Sequence, residues 1–316
     1  MSSYYRTSVI VLLSCFTFLI PVRSLGQQKP SAIADKELTM LTVTVRNGVG
    51  NYVMGVPRAA FELTDEKERR PIEFFENADT PVSIGILVDT SGSMQLFENR
   101  EISRPGPIGD ALSRFLELSN TGNEYFVMAF DKTPRFLTDW TSGQALLAQK
   151  TDIGPPGHDT AFYDACFAAV EELQTAHHSK RALIVISDGQ DNLSRHTFKQ
   201  LRELLRNSDV TIYGIGVIPP SDTGSSLGTE GSGIMMELAE ISGGETYPSR
   251  VKKELRQAIE SIATQLRHQY RIGFRPVRAD PRTKWHRLRL KVTPRANASA
   301  EFSKLTVRTR PGYYNQ

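Results

Sequence analysis

The sequence predicts an α/β protein: a doubly wound, mostly parallel sheet inserted in a small β-sandwich formed by the N- and C-terminal flanks. Three observations carry that expectation. Four short apolar runs, at 82–89, 125–131, 182–189 and 210–217, suit strands covered on both faces. Segments of helical periodicity lie between them, and alternation of strand and helix is the pattern of such a sheet. The segments before residue 81 and after 268 instead alternate apolar and polar residues with period 2. Each flank alone is too small to enclose a core, so one sandwich shared by both is expected. The expected boundaries are 27–80, 81–268 and 269–316, the last pairing with 38–80.

The elements follow in chain order. Arg6 precedes an apolar run at 9–20, then Pro21 and the small residues of Ser24-Leu25-Gly26. The run is shorter than the ~20 residues of a comfortable membrane span. It therefore reads as a cleaved secretory signal over 1–26, with an uncleaved anchor as the alternative. "LLSC" at 12–15 loosely resembles a lipoprotein acylation box, but apolar "FTFLI" follows the cysteine. An exported protein of the periplasm, cell envelope or extracellular space is expected. The alternating stretch 38–56 turns at Asn47-Gly48, a strong hairpin signal, and 61–76 reads as two strands around a charged turn. Helical patterns occupy 109–119, 161–176, 196–208, 233–242 and 251–268, with a short strand at "GETYP". The Ser/Gly/Pro-rich stretch 219–233 reads as a loop. Period-2 strands close the chain at 269–276, 284–294 and 303–314. In the second of these, Leu288, Leu290 and Val292 alternate with Arg287, Arg289 and Lys291, so one face packs and the other is basic.

Composition is that of an ordinary globular protein, with 39% hydrophobic and 23% charged residues in 316. Only two cysteines occur. Cys15 leaves with the signal, and Cys166 lies in an apolar helical pattern, so no internal disulfide stabilises the core. The net charge of +3 is unevenly spread: residues 250–316 hold 17 Lys/Arg against 4 Asp/Glu. Such asymmetry points to a solvated basic strand face or to contact with an anionic surface.

Chemistry concentrates where "ILVDTSGSMQ" (86–95) ends an apolar run. In open α/β sheets ligands bind at the carboxyl ends of the strands. Asp89 closes the first strand there and Asp188, in "VISDG", closes the third. Ser91 and Ser93 follow Asp89 at alternate positions, and Thr160 stands before the helix at 161, where alone it would read as an N-cap. Two carboxylates and three hydroxyls on three loops are hard oxygen donors. They suit magnesium, or manganese or calcium, rather than a transition metal that favours His or Cys. The six histidines show no ligand spacing. A metal held by so few protein charges leaves a coordination position that an incoming carboxylate can fill. The bland alternative is that both aspartates cap turns and the serines satisfy backbone donors.

These residues resemble the metal-ion-dependent adhesion site of von Willebrand factor type A domains. Asp89-x-Ser91-x-Ser93 stands for the first loop, Thr160 for the second and Asp188 for the third. "LAEISGGETYP" (238–248) resembles a late segment of the same domains, and the likeness runs from about Pro81 to His268. The flanking strands resemble bacterial proteins with the acidobacterial type of this domain. The sequence departs from the pattern at "GHDT", which places Asp159 where glycine is frequent. The resemblance implies a von Willebrand factor A or Rossmann-like fold and a non-enzymatic module that binds a protein ligand presenting a carboxylate.

Other classes fit less well. A hydrolase would need G-x-S-x-G, and Ser91 has Thr90 and Gly92 beside it, so a metal-dependent hydrolase is the weaker alternative. No GxxxxGK[ST] loop occurs, which removes the support for nucleotide binding. A surface-associating protein acting through the basic C-terminal face is the other alternative. Export argues against nucleic acid as a partner.

Overall fold

Strand β5 (Ser83–Asp89) is buried at every residue, and the six-stranded sheet is built around it. The computed structural model describes residues 38–96, 107–148, 157–217, 226–276, 285–293 and 304–314. The expected signal at 1–26 and residues 219–225 of the expected loop lie outside the described residues.

Chain order runs from β1 (Thr39–Arg46), β2 (Phe61–Asp65), β3 (Glu68–Arg70) and β4 (Ile72–Glu76) to β5. Next come α1 (Pro107–Leu118), β6 (Glu124–Phe130), β7 (Pro134–Ser142), α2 (Gly143–Ala148), α3 (Phe162–Leu173) and β8 (Arg181–Ser187). Then follow α4 (Phe198–Arg206), β9 (Val210–Val217), α5 (Ser226–Ser242), β10 (Glu245–Ser249) and α6 (Lys252–Arg267). Strands β11 (Gln269–Phe274), β12 (Trp285–Val292), β13 (Thr306–Arg308) and β14 (Gly312–Tyr314) close the chain.

The central sheet has the order β10-β9-β8-β5-β6-β7 and is parallel except for β7. Two apolar layers cover it. Phe115 of α1 and Ile259, Ile262 and Leu266 of α6 pack with Ile84, Ile86 and Ile184 on one face. Cys166 and Val170 of α3, Leu201 of α4 and Leu238 of α5 pack with Leu87, Leu183 and Val185 on the other. The chain leaves β5 toward β6 on one side and returns to β8 on the other. The boundary between β5 and β8 is therefore the topological switch point, where a crevice opens at the strand ends.

Both flank sheets mix the two ends of the chain. Their orders are β13-β1-β11-β4 and β14-β12-β2-β3, with β1 against β11 and β2 against β12 antiparallel. Leu41, Val43, Tyr270, Ile272 and Phe274 of one sheet face Leu63, Leu288 and Tyr313 of the other in a single buried core. A polar seam joins this sandwich to the α/β layers. Gln265 of α6 donates to Thr44 Oγ1 (3.1 Å) and accepts from Tyr52 (3.3 Å) and Tyr247 (3.2 Å). Arg46 grips Glu245 of β10 through both terminal nitrogens, at 3.0 and 2.5 Å.

Several local expectations change. Strand β7 carries no apolar run because it is a half-exposed edge strand. Helix α2 follows it directly. The hairpin at Asn47-Gly48 shrinks to one bridge, Arg46 with Tyr52. There the Asn47 side chain accepts from Val49 and Asn51, widening the turn, and Val53 and Val56 drop into the core. Helix α5 begins at Ser226, inside the expected loop. Gly231 meets Gly189 so closely that a Cβ on either would lie 2.3 Å from the other segment's backbone carbonyl oxygen, a contact glycine permits. The last segment divides into β13 and β14, one in each flank sheet.

Candidate functional site

Asp89 ends β5 one residue past Val88, and Asp188 follows β8 on the neighbouring parallel strand, two residues past Ile186, the partner of Val88. Each carboxylate makes the same local turn. Asp89 Oδ1 accepts the Ser91 N–H at 2.8 Å, and Asp188 Oδ1 accepts the Gln190 N–H at 3.0 Å. Such Asp turns bend the chain sharply at a strand end. Gly189, at φ +77, completes the bend in a conformation other residues rarely adopt.

The second oxygens differ. Asp89 Oδ2 accepts the Ser187 hydroxyl at 2.6 Å, and that hydroxyl in turn accepts the Gly189 N–H at 3.0 Å. Asp188 Oδ2 is buried, and among the described residues it has no hydrogen-bond partner. Burial pushes the Asp89 carboxyl up to about 6, and nearby Asp188 adds to the shift, while the Ser187 and Ser91 hydrogen bonds oppose it. Two buried carboxylates beside each other, one with an orphaned oxygen, form an arrangement that a cation would relieve.

The hydroxyls complete the edge. The Ser91 and Ser93 hydroxyls lie 3.1 Å apart, with Ser91 buried and Ser93 half-buried. Thr160 is buried, and among the described residues its hydroxyl has no hydrogen-bond partner. Its loop is tied to the first by the Gly157 N–H donating to Thr90 O at 2.9 Å. Asp131, after β6, rests against Gly157 and accepts the Ala161 N–H through its carbonyl at 2.7 Å. The structure thus brings the loops of Asp89, Ser91, Ser93, Thr160 and Asp188 to one edge. Asp159 pairs with Lys132 at 3.7 Å on the exposed side.

Residues 84–190 match the family model of the von Willebrand factor type A domain. Several solved structures are similar to the chain. An aerotolerance-related membrane protein from Bacteroides fragilis is 15% identical, with 58% of this chain and 98% of that one covered at a TM-score of 0.45. A von Willebrand factor type A protein from Catenulispora acidiphila is 12% identical, covering 79% and 74% at 0.45. The vWF domain of a type V pili tip protein from Porphyromonas gingivalis is 14% identical, covering 60% and 95% at 0.44. No curated protein matches the chain.

Within the matched segment, Thr160 is not the N-cap of α3. Ala161 takes that position and supplies no side-chain cap. The exposed N–H groups of the helix start are satisfied from the third loop instead. Asp191 Oδ1 accepts from Tyr163 N (3.2 Å) and Ser194 Oγ from Asp164 N (3.0 Å). Asn192 clamps Thr160 from both sides, its Oδ1 accepting the Thr160 N–H (2.8 Å) and its own N–H donating to Thr160 O (3.0 Å). Asp164 returns the grip by accepting the Arg195 and His196 N–H groups at 3.0 and 2.8 Å. The second and third loops are thereby one cross-braced unit. Sequence reasoning missed Ser187 and Asn192; their signal was the "SDGQDN" cluster, polar residues packed around a strand end.

Proposed function

We propose that the protein is a divalent-metal-dependent protein-binding module. Asp89, Ser91, Ser93, Thr160 and Asp188 would hold magnesium, manganese or calcium, and a partner's carboxylate would complete the coordination. The observation that carries this reading is the unmatched, buried Asp188 Oδ2 beside the buried Asp89. The donor set fits the ion. Every donor is a hard oxygen, and among the described residues no group of three or more His, Cys, Asp or Glu could hold a metal. An ion here therefore depends on the hydroxyls and on oxygen from outside. When bound, it supplies an electropositive point that accepts a carboxylate. This chain's residues would hold it through the two carboxylates, of which Asp89 is oriented by the Ser187 hydroxyl and the Ser91 N–H.

Catalysis is not part of the reading. The Ser91 hydroxyl faces Ser93, with no histidine among its partners to act as base. The proposed setting is exported. Among the described residues no helix is long and apolar enough to cross a membrane.

An ion that binds only the folded state stabilises it by mass action, about 2.7 kcal/mol at a hundred times its dissociation constant. Calorimetric melting with magnesium or manganese should show the gain, and EDTA should reverse it. In Asp89→Ala the gain should vanish, together with magnesium-dependent capture of partners from envelope extracts. Equal metal responses in both proteins would sink the proposal.

A further inference from the structure

Part of the basic tail of the sequence is matched by acids. Arg267 pairs with Asp79 at 2.8 Å, Arg275 with Glu73 at 3.2 Å and Arg310 with Asp209 at 3.3 Å. Arg256 meets Glu260 at 3.3 Å, and Arg308 approaches Glu245 at 4.0 Å. Strand β12 carries three cations in one row. Arg287, Arg289 and Lys291 are exposed, and among the described residues none of them makes an ion pair. They alternate along one strand, so they share the outer face with their cations spaced about 7 Å apart.

The neighbouring strands leave this row positive. Arg289 stands opposite Thr64, which stands opposite Arg69. Lys291 stands opposite Glu62, but Glu62 is held by Arg69 at 2.5 Å. Glu66, the other acid at this face, uses its carboxylate on the Arg287 N–H at 2.8 Å. At the end of the row Trp285 packs edge-on to Tyr314, and the Arg206 guanidinium covers the Trp285 ring at 4.8 Å.

Three classes of anionic partner can meet such a face. A membrane would need apolar side chains to enter it, yet among the described residues the large exposed ones, Val49, Phe136, Leu147, Leu193, Met236 and Val251, all lie off the strands of this sheet. A single-stranded nucleic acid would need open aromatic faces for its bases. Here the Trp285 face is taken by Arg206 and its neighbour Tyr314 is engaged edge to face. What remains is recognition by charge along a line. We propose that the outer face of β12, through Arg287, Arg289 and Lys291, binds a linear acidic polysaccharide, whose carboxylate or sulfate groups the guanidinium forks engage.

The full chain can be tested with alginate and heparin as probes, beside single-stranded DNA and vesicles of anionic phospholipid. Three released counterions predict that binding strengthens about 20- to 40-fold as salt falls from 200 to 50 mM. The variant Arg287→Glu/Arg289→Glu/Lys291→Glu should lose this binding and keep its melting temperature, since all three side chains are exposed. The milder variant Arg287→Gln/Arg289→Gln/Lys291→Gln should lose most of it, and serves if charge reversal disturbs the sheet. Undiminished polysaccharide binding in the glutamine variant would overturn the proposal. So would DNA or vesicles binding more tightly than either polysaccharide at the same salt.

Discussion

Two regions bury carboxylates, and they treat them in opposite ways. In the sandwich core Asp65 is 1% exposed, and both its oxygens are matched. Tyr313 donates its hydroxyl at 2.8 Å, the His286 ring lies at 3.2 Å, and Arg70 approaches to 3.9 Å. At the edge of the central sheet, Asp89 and Asp188 are also buried, yet they face each other's charge and, among the described residues, one oxygen is left without a partner. A buried carboxylate alone therefore says little about function. In the proposed reading, the one whose surroundings do not complete it is where an outside ligand would bind.

The comparison breaks first at Asp65. Removing a buried charge from its partners leaves them uncompensated, so Asp65→Ala should cost about 3–5 kcal/mol. Denaturant unfolding would measure it, and a loss below about 1 kcal/mol would mean that the cluster does not organise the sandwich.

Lys180 is a further buried charge, and among the described residues carbonyls satisfy it: Leu266 O at 3.2 Å and Thr80 O at 3.4 Å, where α6 meets the first flank. Burial lowers its pKa from 10.5 to about 8. The unfolded chain then holds the proton more tightly than the folded one between these values. Folding stability attributable to Lys180 should rise as pH climbs from 8 to 10.5, by on the order of 3 kcal/mol. Subtracting the pH profile of Lys180→Met isolates the effect, and parallel profiles would refute it.

The contrast with Asp65 sharpens at Asp89. In metal-free buffer at neutral pH, Asp89→Asn removes a charge that burial and Asp188 disfavour. It should therefore stabilise the protein by on the order of 2 kcal/mol. A destabilised variant would show that the Ser187 and Ser91 hydrogen bonds outweigh the repulsion.

What could be read in advance followed from periodicity. The buried run of β5 and the helical stripes of α3 and α6 announced the sheet and its covering layers, because apolar spacing is a local signal. Asp89, Ser91, Ser93 and Asp188 were visible because they end apolar runs. Strand β7 was hidden, since an exposed edge needs no apolar run. The start of α5 was hidden too, because the Gly189–Gly231 approach that supports it is a tertiary contact. Thr160 was legible as a candidate, but not the reason its hydroxyl is spare. The cap of α3 comes from residues some 30 positions away, and no window along the chain contains both.

That cap in trans yields the smallest and most specific expectation. A helix start normally draws its acceptor from its own N-cap side chain. Here Asp191, Asn192 and Ser194 supply the acceptors, so the loop bearing Asp188 and the loop bearing Thr160 move as one body. Asn192 is exposed, and losing its clamp on the Thr160 N–H should cost only about 1 kcal/mol of stability. The proposed metal site should feel it more. Without the clamp, the Thr160 hydroxyl must be ordered at the moment of binding rather than beforehand, so Asn192→Ala should weaken magnesium affinity several-fold. Asn192→Asp keeps the acceptor oxygen and the backbone N–H, and should retain most of the clamp. The measurement is the metal-induced rise in melting temperature across a magnesium titration for the three proteins. If Asn192→Ala lost stability while its midpoint in magnesium matched the wild type, the brace would serve the fold alone, and the two loops would not be coupled through it.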